Sequence, residues 1–206
     1  MTPWAPYLFF TLAGYLSGSV LYAQLLTRWI AGKDVRTAQE DHNPGTASAF
    51  LCGGLACGIP VLICDLLKGF LPVHWALRFC LPSDPLFVFV LLAPVIGHAW
   101  PLFYHFEGGK AIAVSFGVLL GLCPLFCLPL LALVFFYLLY SLLVKITPHS
   151  WRTICTFCSA LLVDWMAMLP VSIFLGFSGI TMVVSAKHLQ TRPEHPEVHL
   201  LPEGHR

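Results

Sequence analysis

Leu86-Phe87-Val88-Phe89-Val90-Leu91-Leu92-Ala93-Pro94-Val95-Ile96-Gly97-His98-Ala99-Trp100-Pro101-Leu102-Phe103 is apolar almost without interruption. Tyr104-His105-Phe106-Glu107-Gly108-Gly109-Lys110 follows, and at Ala111-Ile112-Ala113 the chain turns apolar again. A run close to the ~20 residues needed to cross hydrocarbon, leading into two glycines and a cation, reads as a membrane span that ends in a ligand loop. Glycines let the backbone turn tightly and approach a bound group without Cβ interference. Lys110 is predicted at the N-terminus of the next helix, where free N–H groups and the helix dipole favour an anion.

The rest of the composition agrees with a membrane setting. The chain has 206 residues, is 58% hydrophobic and 10% charged, and has a mean hydropathy of +0.81. A soluble fold of this size has no means of hiding so much apolar surface, so the lipid bilayer is the expected solvent. With a net charge of +1 and no basic run, nucleic acid is not an expected partner. The eight cysteines are predicted to be reduced, because seven of them (all but Cys80) lie inside apolar segments. No Lys or Arg precedes the first apolar segment, so that segment is expected to be a retained span rather than a cleaved signal.

Working outward from Leu86, seven spans are predicted. Tyr7–Arg28 comes first, with Gly14, Ser17, Gly18 and Ser19 as a small-residue packing face. After a polar loop from Ala31 to Ser48, Phe50–Phe79 is apolar but interrupted by Pro60, Asp65 and Lys68, and Cys80–Pro85 is a turn. Beyond Lys110, Ala111–Leu143 is divided by Pro124; Lys145–Arg152 is a polar turn; Thr153–Val184 is divided by Pro170. Residues 1–186 are thus one transmembrane domain, followed by a polar tail, 187–206, without apolar periodicity. Threading seven spans gathers Arg28, Lys33, Arg36, Lys110, Lys145, Arg152, Lys187, Arg192 and Arg206 on one side, against Arg78 on the other. The basic side is expected to be cytoplasmic, with the N-terminus outside, the C-terminus cytoplasmic and the polar loops sharing the inner face of the membrane. The fold class expected is therefore an all-α polytopic membrane protein. Oligomeric state leaves no signal in the sequence.

Three motifs carry the chemistry. Asn43-Pro44-Gly45 in the first loop is a turn signal, which by itself fits an ordinary inter-span loop. Asp65-Leu66-Leu67-Lys68-Gly69 places a carboxylate and an ammonium at i,i+3 inside an apolar run, fitting either mutual pairing or support of a site. The Gly108-Gly109-Lys110 stretch is not a P-loop, because Phe103 and Ala111 stand where Gly and Ser/Thr are required. His98 fits a packed histidine as well as a functional one. Cys155-Thr156-Phe157-Cys158 is a lone CxxC in an apolar helix, which gives no metal or thiol-exchange site, and no metal or cofactor is expected elsewhere. Asp164 beside Trp165 reads as an interfacial helix end.

Taken in order and spacing, these motifs resemble the bacterial acyl-phosphate:glycerol-3-phosphate acyltransferases, the PlsY-type membrane enzymes, from Tyr15 to about His188. The family's Gly-x-Asp-x-Arg is matched by Gly32, Asp34 and Arg36, and its Asn-Pro-Gly by Asn43, Pro44 and Gly45. Its Asp-x-x-Lys-Gly is matched by Asp65, Lys68 and Gly69. Its Gly-His-x-x-Pro-x-Phe and Phe-x-Gly-Gly-Lys are matched by Gly97, His98, Pro101, Phe103, Phe106, Gly108, Gly109 and Lys110. The resemblance implies seven helices and transfer of an acyl group from acyl phosphate to the sn-1 hydroxyl of glycerol 3-phosphate, giving lysophosphatidic acid. It implies catalytic roles for Lys110 and His188, substrate binding by Asn43, Gly45, Gly108, Gly109 and Arg36, and structural support from Asp65, Lys68 and His98. The family works without a His-x4-Asp pair, and none of His42, His74, His98, His105, His149 and His188 has such a partner here.

Several family positions are replaced. Glu40, Asp41 and His42 stand in place of Gly-Ser-Gly, Leu51 in place of an Arg, and the third-loop Ser falls near His149. The terminal His-Arg-x-Asn keeps only His188. A second reading follows from these losses: a divergent, non-catalytic homologue that binds lipid or acyl phosphate. A small transporter fits less well, because transporter sites lie near the bilayer midplane and these polar residues gather at one face.

Overall fold

The computed structural model describes residues 3–38, 42–190 and the backbone of 197–200. The first apolar segment forms α1 (Ala5–Gly18) and α2 (Tyr22–Ala31), so the single span expected from Tyr7 to Arg28 is broken. Ser19 explains the break. Its Oγ donates back to Tyr15 O at 2.8 Å and accepts from Leu102 N at 3.2 Å, and Leu21 then leaves helical geometry at φ −89°, ψ 85°. A 3-10 turn, Val35–Thr37, follows, fixed by the Asp34 carboxylate accepting from Arg36 N at 2.9 Å.

α3 (Thr46–Ala76) has two limbs. Pro60 and Pro72 sit within the second limb, so the interruption expected at Pro60 falls instead at Gly53 and Gly54. Gly54 has φ +59° and ψ −151°, a conformation open to glycine and strained for other residues. Thr46 Oγ1 donates to Asp65 Oδ2 at 3.1 Å although the two are 19 residues apart. Straight helix would separate them by ~28 Å, so the first limb folds back along the second. Lys33 Nζ donates to Cys52 O at 3.2 Å, taking up a carbonyl that the kink releases.

The remaining elements are α4 (Phe87–Ala99), a 3-10 turn Leu102–Tyr104, α5 (Ile112–Gly121), α6 (Leu128–Leu138) and a π turn Leu139–Leu143. β1 (Val144–Thr147), α7 (His149–Met166), α8 (Val171–Leu189) and β2 (Glu197–Leu200) complete the described chain. The polar turn expected at Lys145–Arg152 is thus β1 followed by the start of α7. α8 carries Lys187 and His188 past the expected start of the tail, and β2 returns antiparallel to β1, Val144 opposite Leu200 and Thr147 opposite Glu197. Asp164 lies near the end of α7 as expected, but it is fully buried rather than interfacial.

Among the described residues four stretches are long and apolar enough to cross a membrane: Ala5–Ala31, Thr46–Ala76, Phe87–Tyr104 and Val171–Leu189. Ile112–Gly121 and Leu128–Leu143 are shorter apolar helices. Along the second limb of α3, Leu55, Ile59, Ile63, Leu67 and Leu71 recur every fourth residue and are all exposed, a stripe suited to lipid. The opposite face buries Val61, Asp65, Lys68, Gly69, Val73 and Ala76.

Small residues bring the helix backbones together, as expected where packing rather than hydrophobicity drives association. A Cβ on Gly18 would overlap Pro94 O of α4, and one on Gly97 would overlap Tyr15 O of α1. On the other side of the molecule a Cβ on Gly117 of α5 would overlap Leu66 O of α3, and one on Gly69 would overlap Val114 O. Phe87, Leu91, Phe157, Ile173, Phe177 and Ile180 fill the interior between α4, α7 and α8. All eight cysteines are free.

Candidate functional site

Lys68 is the centre of the polar interior. Its side chain is 1% exposed, and Nζ lies 2.8 Å from Asp65 Oδ1 one turn earlier on the same face. Nζ also donates to Val20 O at 2.9 Å, a carbonyl freed by the break between α1 and α2, and lies 2.8 Å from His98 Nδ1. An ammonium carries donors and no acceptor, so His98 Nδ1 must accept. The His98 proton is thereby placed on Nε2. The Nε2 edge faces the glycine loop, where a Cβ on Gly109 would come within 2.5 Å of it and within 3.3 Å of Asn43 Oδ1.

The loop reaches this position because both glycines lie against α4. Gly109 N donates to His98 O at 3.1 Å, and a Cβ on Gly108 would overlap the same carbonyl. The glycines serve close approach. The tight turning expected of them falls to His105, Phe106 and Ala111, at φ +53°, +61° and +60°. Lys110 then enters α5.

A cavity of about 660 Å³ opens beside this assembly. The polar part of its lining is Asn43, Thr46, Asp65, His98, Lys110 and His149. Gly45, Thr46 and Ala47 bring the N-terminus of α3 to it, and Ala111, Ile112 and Ala113 that of α5. Two helix N-termini and a lysine converging on one cavity make an anion-binding arrangement. Ser48 Oγ donates to Asn43 O at 2.6 Å and fixes the turn that begins α3. Apolar side chains of Phe50, Leu62, Leu66, Ile112, Phe116 and Tyr137 complete the lining.

Of the residues singled out in the sequence, Lys110, Asn43, Gly45, Asp65 and His98 line the cavity, while Gly108, Gly109 and Lys68 pack behind it. Arg36 is not among the lining residues. Its guanidinium meets Glu107, Nη1 to Oε2 at 3.0 Å and Nη2 to the carbonyl at 3.1 Å, and so ties the first loop to the glycine loop. His188 is also set back. It is fully buried, its Nδ1–H donates to Val184 O at 2.8 Å, and its ring stacks on His149, centroids 5.8 Å apart and 18° between planes. Leu51 lies on the first limb of α3 with its side chain 65% exposed. Glu40 and Asp41 lie outside the described residues.

Sequence reasoning missed Thr46, which bonds Asp65 and follows the Asn43-Pro44-Gly45 turn. His149, near the position of the family's third-loop Ser, lines the cavity.

Fold and site together define a polytopic helical membrane protein with a buried polar hub beside a cavity of mixed polar and apolar lining. A family profile of glycerol-3-phosphate acyltransferases matches residues 8–193, and the chain belongs to that family. The glycerol-3-phosphate acyltransferase of Myxococcus xanthus is 42% identical over 113 residues, 55% of this chain and 58% of that protein. That of Aliivibrio salmonicida is 42% identical over 120 residues, 58% of this chain and 60% of that protein. The matched stretch thus spans somewhat over half the length of these relatives. Among solved structures, PlsY (YgiH), an integral membrane glycerol 3-phosphate acyltransferase, in its glycerol 3-phosphate form superposes with a TM-score of 0.79 at 26% identity. The alignment covers 89% of this chain and 88% of that one.

The Asp65–Lys68 pair yields a stability prediction. Lys68→Met leaves a carboxylate buried and unpaired, and Asp65→Asn leaves a buried ammonium without its counter-ion; each is expected to cost about 3–5 kcal/mol. The double variant is expected to cost less than the sum of the two, read by unfolding titrations in mixed micelles. Additive losses would show that the pair is not coupled.

Proposed function

We propose that this protein transfers an acyl group from acyl phosphate to glycerol 3-phosphate, forming lysophosphatidic acid and phosphate at the start of phospholipid synthesis. The observation that carries the reading is the mixed lining of the cavity. Lys110 and the N-termini of α3 and α5 offer donors to phosphate, and Phe50, Leu62, Leu66 and Phe116 offer an apolar surface to an acyl chain. The family membership and the likeness to a structure in its glycerol 3-phosphate form support it.

In this reading the sn-1 hydroxyl oxygen bonds to the acyl carbon, the bond from that carbon to the phosphate oxygen breaks, and the hydroxyl proton leaves with the phosphate. Acyl phosphate is already activated, so positioning and charge stabilisation provide the catalysis. Lys110 holds phosphate charge, and Asn43, Gly45, Gly108 and Gly109 shape the pocket around it. Asp65 and Lys68 hold His98 with Nε2–H toward the loop. Arg36 acts through Glu107, keeping the two loops together, and His188 acts as the platform for His149.

The setting that fits is a bacterial plasma membrane crossed seven times, with the N-terminus outside and the active face cytoplasmic. The excess of basic residues on the side of Lys110 supports it. A fluorescent reporter fused after Arg206 should fluoresce while an alkaline phosphatase fusion at the same point stays inactive; the reverse pattern contradicts the orientation.

The non-catalytic reading is favoured by one observation, the outward-facing Leu51 where the family carries Arg. Purified protein supplied with palmitoyl phosphate and glycerol 3-phosphate separates the two. Lysophosphatidate is expected, and Lys110→Ala should lower kcat/KM by roughly ten- to hundredfold, the loss of a charge-assisted contact of about 1.5–3 kcal/mol. No product above the Lys110→Ala background supports the binder instead.

A further inference from the structure

We propose that Phe116 of α5 and Tyr137 of α6 form the stop that sets the acyl-chain length this protein accepts, an inference resting on the reading of the cavity as an acyl-phosphate site. The two rings meet edge to face, centroids 5.8 Å apart and 90° between planes, and both line the cavity. Ile112 and Phe116 lie one turn apart on α5 and give the cavity a short apolar strip, which Leu62 and Leu66 of α3, one on each side of Asp65, extend. The strip starts beside Lys110, so a chain whose phosphate is held there must run along it.

Its length is limited by backbone. Beyond Leu66 and Phe116 the two helices close on each other. A Cβ on Gly117 would overlap Leu66 O, one on Gly69 would lie 2.9 Å from Val118 N, and one on Gly121 would lie 2.9 Å from Phe70 O and from Val73 Cβ. No alkyl chain passes between α3 and α5 past that seam. α6 contributes Tyr137 to the lining, and the Phe116–Tyr137 contact bars the way toward that helix. Phe116 and Tyr137 are both half-buried, so the barrier is made of side chains at the flank of the bundle rather than of its core. Trimming one ring therefore opens space without emptying the interior cluster of Phe87, Phe157 and Phe177.

The test is kcat/KM of the full-length protein in lipid nanodiscs with lauroyl, myristoyl, palmitoyl and stearoyl phosphate, glycerol 3-phosphate being saturating. Phe116→Ala should raise the stearoyl-to-myristoyl ratio by roughly tenfold, the gain when about two further methylenes find room. Phe116→Trp should lower that ratio, and Tyr137→Phe, which keeps the ring, should leave it unchanged. Because Phe116→Ala and Phe116→Trp move the ratio in opposite directions, either one carries the test if the other fails to fold. An equal loss of rate at every chain length assigns Phe116 to packing alone and overturns the inference while leaving the acyltransferase reading intact. Absence of turnover by the unsubstituted protein with every acyl phosphate overturns both.

Discussion

The structure depends on one buried ammonium. Lys68 holds three groups from three parts of the chain: the Asp65 carboxylate on its own helix, the Val20 carbonyl at the break between α1 and α2, and His98 at the end of α4. Burying a charge is costly unless every proton finds a partner, and that requirement fixes where the three parts must stand. Asp65 extends the hub by accepting from Thr46, which draws the folded-back limb of α3 over the cavity. His98 extends it in the other direction, through its carbonyl, to the glycine loop and Lys110. The cavity is thus bounded by groups that answer, directly or at one remove, to a single side chain.

Such an arrangement suits a reaction whose leaving group is already good. The polar part of the lining offers a lysine and helix N-termini, donors that stabilise negative charge. Donors built into backbone and braced by a satisfied ion pair need no reorganisation when charge shifts. The glycines contribute by removing side chains where the loop must touch the imidazole of His98. The close α3–α5 seam gives the same cavity a fixed apolar wall, so recognition of head group and of chain share one rigid frame.

Much of this was legible in the sequence, and the remainder escaped it for physical reasons. The apolar runs marked the helices around Pro124 and Pro170, and the i,i+3 spacing of Asp65 and Lys68 already implied their pairing. Hydropathy did not reveal the break at Ser19–Leu21 or the fold-back at Gly53–Gly54. Both lie inside apolar stretches, and both are stabilised by partners remote in sequence, Leu102 and Lys68 for the first and Asp65 for the second. Arg36, expected from its motif to bind substrate, meets Glu107, 71 residues away, a partner that the motif does not reveal. His149 becomes visible as a lining residue only when α7 is packed against α6 and α8.

The most direct test of the hub is the protonation of His98 itself. Protein carrying nitrogen-15 histidine, reconstituted in nanodiscs and compared with His98→Gln for assignment, reports the state of each ring nitrogen by NMR. The account predicts a neutral His98 with its proton on Nε2 and an unprotonated Nδ1 whose resonance shifts in Lys68→Met. It also predicts that the Nε2–H signal moves on addition of glycerol 3-phosphate. A proton on Nδ1, or a His98 spectrum indifferent to both Lys68→Met and glycerol 3-phosphate, would contradict it.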